Sequence, residues 1–243
     1  MTSIHDAAAR RDELSSNLQH VHERIDSACR SAGRSRKDVA LIVVTKFFPG
    51  SDIEVLSQLG VTQIGENRDQ EASAKIAALP SAVRQLLHVH FIGQIQSNKA
   101  ASLASYVNTV HSIDRQKLVQ ALDRAAAAAG RELGALVQVR LRGDLPGRGR
   151  GGVPVDDVAE LASSVAAAQH LKLRGVMAVA PLGIDAVDAF AQLAIVARAV
   201  RADHPEAGWI SAGMSGDLEA AVTNGATHLR VGSAILGSRP LRG

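Results

Sequence analysis

Aromatic side chains are scarce in this chain: four Phe, one Trp and one Tyr make up only 2% of 243 residues. Stacking platforms for nucleic-acid bases therefore have almost no material. Aliphatic residues and alanine must fill the interior, and 46% hydrophobic with 21% charged residues describes a packed globule. The lone cysteine, Cys29, excludes an internal disulfide, fits a reducing compartment and leaves no paired spacing for zinc. A formal charge of +3 is small for this length, so it implies no nucleic-acid partner, although local Arg and Lys can still hold a phosphate. No apolar run approaches the roughly 18 residues that a transmembrane helix requires. Charges throughout the first twelve residues are unlike a signal peptide. The expectation is a cytoplasmic protein with no membrane partner.

What is present is an alternation. Leu14, Leu18, Val21, Ile25 and Ala28 recur at spacings of four and three, which predicts an amphipathic helix within residues 1–36 that packs on the outside of the main domain. Eight short apolar segments follow, at Ala40 to Val44, Val61 to Gly65, His88 to Ile92, Asn108 to His111, Ala135 to Val139, Leu173 to Val179, Gly208 to Ser211 and Thr227 to Val231. Helical stretches separate them: Ser51 or Asp52 is placed to cap a segment through Leu59, a short one runs from Ala100 to Leu103, another from Asp156 to Ala168, and Leu218 to Thr223 closes at Asn224 and Gly225. Eight alternations without a long linker predict an α/β fold, a single (β/α)8 TIM-type barrel over 1–243.

Lys46 stands at the carboxyl end of the first predicted strand, where barrels place their chemistry. Burial disfavours an ammonium, and a neutral amine can attack an aldehyde; the other reading of a strand-end lysine is a solvated loop residue. Ser211, Gly213, Met214, Ser215, Gly216 and Asp217 follow the seventh strand, while Arg230, Gly232 and Ser233 cover the end of the eighth. Glycines allow close approach to a phosphate, serines donate to it, and both stretches run into helices whose first N–H groups face an anion. Taken singly, Ser215 or Asp217 could simply cap its helix and the glycines could simply make tight turns. Two such turns at consecutive strand ends are more specific. A closed barrel sets the lysine beside them, and pyridoxal 5'-phosphate, an aldehyde bearing a phosphate, suits that pair.

The motifs Val44-Thr45-Lys46, Gly65-Glu66-Asn67, His90-Phe91-Ile92-Gly93-Gln94-Ile95-Gln96-Ser97-Asn98-Lys99, His111-Ser112-Ile113-Asp114-Arg115, Leu173-Arg174-Gly175-Val176-Met177-Ala178, Ser211 through Ala221 and Arg230 through Gly237 occur in order. In that order the chain resembles the pyridoxal-phosphate homeostasis protein family, the YggS- and PROSC-like proteins, whose fold is similar to the amino-terminal barrel of alanine racemases. The resemblance implies that Lys46 holds the cofactor as an internal aldimine and that Asn67 lies beside its ring. Ser211, Gly213, Met214, Ser215, Gly232 and Ser233 would surround the phosphate, Met177 would line the barrel against the cofactor, and Arg230 would lie near either the phosphate or the ring nitrogen. It further implies a protein that buffers and delivers pyridoxal phosphate, with apoenzymes that use the cofactor as partners and no catalysis of its own; without the domain through which racemases dimerise, a monomer is expected.

Four departures stand out. Phe48 occupies the place of a second lysine, Arg68-Asp69 that of an aromatic and aliphatic pair, both expected at the pocket mouth; Gln94-Ile95 vary the third-strand motif, and Gly149-Arg150-Gly151-Gly152-Val153 replaces a Lys-Ser-Gly-Ile type loop. A transfer step that needs a second lysine or that loop is put in doubt. Arg148 and Arg150 read as a solvated loop. His88, His90 and His111 lie near strand ends, two on one face, without a third ligand for a metal. Two enzymatic alternatives remain: an amino-acid racemase, which needs groups on both faces of a carbanion yet has here one tyrosine, Tyr106, and ten residues after Ser233; and a lysine aldolase acting on a phosphosugar without pyridoxal phosphate.

Overall fold

The β-branched run Ala40–Val44 forms strand β1 over the range that its composition predicts. The coordinates are a computed structural model that describes residues 4–143 and 151–238; Arg148 and Arg150 lie outside the described residues. After β1 come β2 (Gln63–Glu66), β3 (His88–Phe91), β4 (Thr109–Ile113), β5 (Leu133–Arg140), the two-residue β6 (Val153–Pro154), β7 (Leu171–Met177), β8 (Trp209–Ser211) and β9 (His228–Val231). Strand order is β4-β3-β2-β1-β9-β8-β7-β5, and pairing of β4 with β5 closes the ring. Every pairing is parallel, and β6 joins only β5. Among the described residues, eight strands thus form the barrel expected from the sequence.

The helices are α1 (Ile4–Ser31), α2 (Gly50–Gln58), α3 (Asp69–Ala78), α4 (Ser81–Leu86), α5 (Ala100–Tyr106), α6 (Gln116–Ala128), α7 (Val158–Ala166), α8 (Ala186–Asp203), α9 (Leu218–Thr223) and α10 (Ser233–Leu236). Leu14, Leu18, Val21, Ile25 and Ala28 of α1 are all buried, as their spacing predicts. Each large aliphatic among them contributes about 1.5–3 kcal/mol by leaving water. The stripe packs on α9, α10 and α2.

Boundaries shift where a side chain has other business. Neither Ser51 nor Asp52 caps α2: its N-cap is Pro49, without a side-chain bond, and the buried Asp52 carboxylate accepts from Arg10 of α1. β7 ends at Met177 rather than Val179, because the Ala178 carbonyl turns to accept from Arg230. β4 runs on to Ile113, with the Ser112 hydroxyl donating to the Gly93 carbonyl. α7 begins only at Val158, after a 3-10 turn through Asp156 and Asp157. No helix among the described residues is long and apolar enough to cross a membrane.

Candidate functional site

β1 and β9 are neighbours in register, Ile42 opposite Arg230 and Val43 opposite Val231. Their carboxyl ends therefore open on the same mouth of the barrel. At that edge Gly232 presses on the first strand: a β-carbon there would meet the Val44 carbonyl oxygen at 3.1 Å. Lys46 follows Val44 by two residues. The end of the first strand and the last turn of the barrel are thus in contact.

The turn after β8 meets the turn after β9. The Ser233 hydroxyl donates to Ser215 Oγ at 3.2 Å, and the Ala234 N–H donates to the same oxygen at 3.3 Å. Ser215 consequently joins the two turns instead of capping its own helix. Asp217 does not cap α9 through its side chain either; its carboxylate accepts the Met214 N–H at 2.6 Å and shapes the turn. Gly213 adopts φ 87°, a left-handed conformation, and its space is closed by Ala221 and Leu229. Ser215 is half-buried, while Ser233 and Met214 are exposed. The Ser215 and Ser233 hydroxyls and the start of α10 thus lie together where the two turns meet.

Lys46 is half-buried in a turn, its Nζ 5.8 Å from the Phe47 ring centroid. The guanidinium of Arg68 lies 4.8 Å from the same ring. Asn67, half-buried at the end of β2, has an Oδ1 that is shielded from solvent and without a hydrogen bond. Met177 is buried and pairs in register with Ser211.

Ser211 occupies a different place from the other serines. Its hydroxyl is fully buried inside the barrel, accepting from Arg230 Nη1 at 2.7 Å and lying 2.9 Å from His111 Nδ1. Arg230 donates its other terminal nitrogen to the Ala178 carbonyl at 2.9 Å. A continuous polar chain runs on from there: His111 Nε2 to His90 Nδ1 at 2.8 Å, then His90 Nε2 to Gln63 at 3.1 Å. Burial pushes the Arg230 guanidinium down to about 10, opposed by the Asp217 carboxylate, so it stays charged at neutral pH. Burial first, then repulsion from the neighbouring imidazoles for His90 and from Arg230 and neighbouring imidazoles for His111, holds both rings well below the ordinary imidazole range. These rings are bonded to one another and to Ser211, and no group of His, Cys, Asp and Glu among the described residues is arranged to hold a metal ion.

The structure thus gathers Lys46, Gly213, Met214, Ser215, Gly232 and Ser233 around one mouth, with Asn67 at the second strand end, and sets Arg230, Ser211 and Met177 inside the barrel. Phe48 departs from its expected place at the mouth. It packs in the core cluster, with Arg10 of α1 5.8 Å from its ring. The Asp69 carboxylate likewise points to α5, accepting from Ser102 and Tyr106. Sequence reasoning missed Glu71 and Lys75, whose side chains reach the backbone on both sides of Lys46. Their i,i+4 spacing on α3 was the available signal, but it does not say what the pair touches.

The family description "Alanine racemase, N-terminal domain" matches residues 16–240. A pyridoxal phosphate homeostasis protein of Mycobacterium leprae is 42% identical over 96% of this chain and 95% of that protein. Among solved structures, one described as an unknown protein from Bifidobacterium adolescentis superposes with a TM-score of 0.87 at 29% identity, covering 93% of this chain and 96% of that one. PipY from Synechococcus elongatus, solved with pyridoxal phosphate (PLP) bound, superposes with a TM-score of 0.77 at 32% identity, over 92% of this chain and all of that one.

Proposed function

We propose a function from this premise: the chain belongs to the pyridoxal phosphate homeostasis protein family, and its fold is that of the alanine racemase N-terminal domain. On this reading it binds pyridoxal 5'-phosphate at the barrel mouth and serves to buffer the cofactor and hand it to apoenzymes, without catalysis of its own. When bound, the cofactor supplies an aldehyde. Lys46 would hold the cofactor through its side-chain amine, a group suited to condense with that aldehyde with release of water. Ser215, Ser233, Gly213, Gly232 and the Met214 turn hold the phosphate. Ser211 acts on the ligand through Arg230, whose buried charge disfavours a proton on a ring nitrogen placed beside it. Asn67 offers its unbonded Oδ1 to the ring's polar edge.

The contact of Gly232 with Val44 carries the reading, since it makes the Lys46 turn and the two serine turns parts of one rim. The donor set supports it: hydroxyls and backbone amides suit a phosphate, and the orphaned Asn67 oxygen suits a ligand hydroxyl. Absence of catalysis is supported by Tyr106. Its hydroxyl donates to Asp69 among the outer helices, so no tyrosine among the described residues stands ready as a base at the mouth.

The purified protein should be yellow or turn yellow with the cofactor. Borohydride should then fix a phosphopyridoxyl group on Lys46, located by mass mapping and lost in Lys46→Ala. A preparation that stays colourless would overturn the assignment. Substantial racemisation of D- or L-amino acids would overturn the non-catalytic role.

A further inference from the structure

Phe47, immediately after Lys46, has φ 72°, the one non-glycine residue with positive φ among the described residues. Such backbone costs a bulky residue about 1–2 kcal/mol and persists only where its surroundings enforce it. Two side chains of α3 do so. Lys75 Nζ donates to the Thr45 carbonyl at 2.9 Å, to Glu66 Oε1 at 2.8 Å and to Glu71 Oε1 at 3.3 Å. Glu71 Oε1 in turn accepts the Phe47 N–H at 2.7 Å. The Thr45 hydroxyl completes the cluster by donating to Glu66 Oε1 at 2.6 Å.

The Thr45 carbonyl belongs to the peptide plane before Lys46, and the Phe47 N–H to the plane after it. Peptide planes are rigid, so fixing both leaves the Cα–Cβ direction of Lys46 little freedom. The cluster is a poor choice for stability alone. Glu66 is fully buried with Oε2 unpartnered, burial pushes its carboxyl up against the pull of Lys75, and a buried ion pair commonly adds nothing over apolar groups of equal volume. Its value lies in geometry.

We propose that Glu71 and Lys75 are positioning residues that clamp the two peptide planes flanking Lys46 and so aim its amine for capture of an aldehyde. The proposal rests on the reading of Lys46 given above and assigns to α3 the role of orienting that amine. Glu71 is the residue to vary, because it is partly exposed and its loss leaves the Lys75–Glu66 pair intact.

The test has two arms on the full chain. In the first, amide hydrogen exchange is measured on protein freed of cofactor. Glu71→Ala should raise exchange at Phe47 at least tenfold, leave β1 unchanged, and be largely rescued by Glu71→Gln, whose amide oxygen still accepts. In the second, the rate of imine formation with pyridoxal 5'-phosphate is followed by absorbance. Glu71→Ala should slow it about tenfold, whereas in a Lys46→Ala background the same substitution should change non-covalent affinity less than twofold. Unchanged Phe47 exchange, unchanged capture, or equal weakening of binding in the Lys46→Ala background would overturn the clamp. Wild-type protein that captures no cofactor at Lys46 would overturn the reading of Lys46 itself, and the exchange arm distinguishes that failure from failure of the clamp.

Discussion

At Gly213 a β-carbon would sit 2.6 Å from Ala221 Cβ and 2.8 Å from Leu229 Cδ2, in a backbone with φ 87°. The left-handed conformation alone costs alanine about 1–2 kcal/mol, and the overlap with α9 adds to it. Gly213→Ala should therefore lower stability by more than about 2 kcal/mol in urea titration and weaken cofactor retention, since relief of the overlap moves the Ser215 turn. Ser211 makes a second test at this scale. Ser211→Ala leaves the buried Arg230 Nη1 and His111 Nδ1 without their shared partner, at a cost of about 1–3 kcal/mol for the unsatisfied group. It should alter the absorbance maximum of bound cofactor and its pH dependence without abolishing the Lys46 adduct. An unchanged spectrum would mean that Arg230 does not face the ring.

Helix α1 holds the two short helices that carry the serine turns. Asn17 donates to the Ile235 carbonyl and Arg10 to the Leu236 carbonyl and the Asp52 carboxylate, while Arg34, in the turn that follows α1, donates to the carbonyls of Val222 and Ala226. The Ile235 and Leu236 carbonyls lie in the last turn of α10, where a short helix leaves carbonyls without intrahelical partners. Arg34→Met should thus cost about 2 kcal/mol, from loss of two charge-assisted bonds at the end of α9, and Leu14→Ala about 2–5 kcal/mol from the cavity left in a fully buried site. Both are read as shifts in the denaturation midpoint; a change below about 0.5 kcal/mol in each would show that α1 and the turn after it are dispensable to the barrel. Elements of this kind were legible to different degrees. The barrel strands and the α1 stripe could be read because β-branched runs and a 3.6-residue apolar period survive in the sequence, as at Ala40–Val44 and Leu14 to Ala28. Lys46 and the Gly/Ser turns were legible because strand ends in a barrel converge. What could not be read were partners set by tertiary contact: Asp52 drawn to Arg10, Ser211 to Arg230 and Lys75 to the Thr45 carbonyl across 30 residues.

Across the whole molecule, the barrel interior behaves as a set of imidazoles kept neutral. His90 and His111 are held well below their ordinary values by burial, and His228, stacked 4.0 Å from the Trp209 ring, is pushed down to about 4 by burial, with smaller contributions from His88 and Arg230. An unfolded chain protonates these rings near pH 6.5. From that pH down to about 4 the unfolded state binds more protons than the folded one, so stability must fall as pH falls through this window. Each ring contributes a slope of about 1.4 kcal/mol per pH unit while it remains neutral in the fold. Glu66 opposes the trend, because burial pushes its carboxyl up and the folded state takes that proton first, but it is one group against several. The urea midpoint should thus decline steadily between pH 6.5 and pH 4.5 while remaining flat above pH 7.5. His228→Phe, which keeps a ring against Trp209 and removes the titration, should reduce the slope by about one proton's worth. A midpoint that does not change from pH 7 to pH 5 would mean that the interior histidines accept protons without loss of the fold, and that the polar chain ending at Arg230 carries charge under acid conditions.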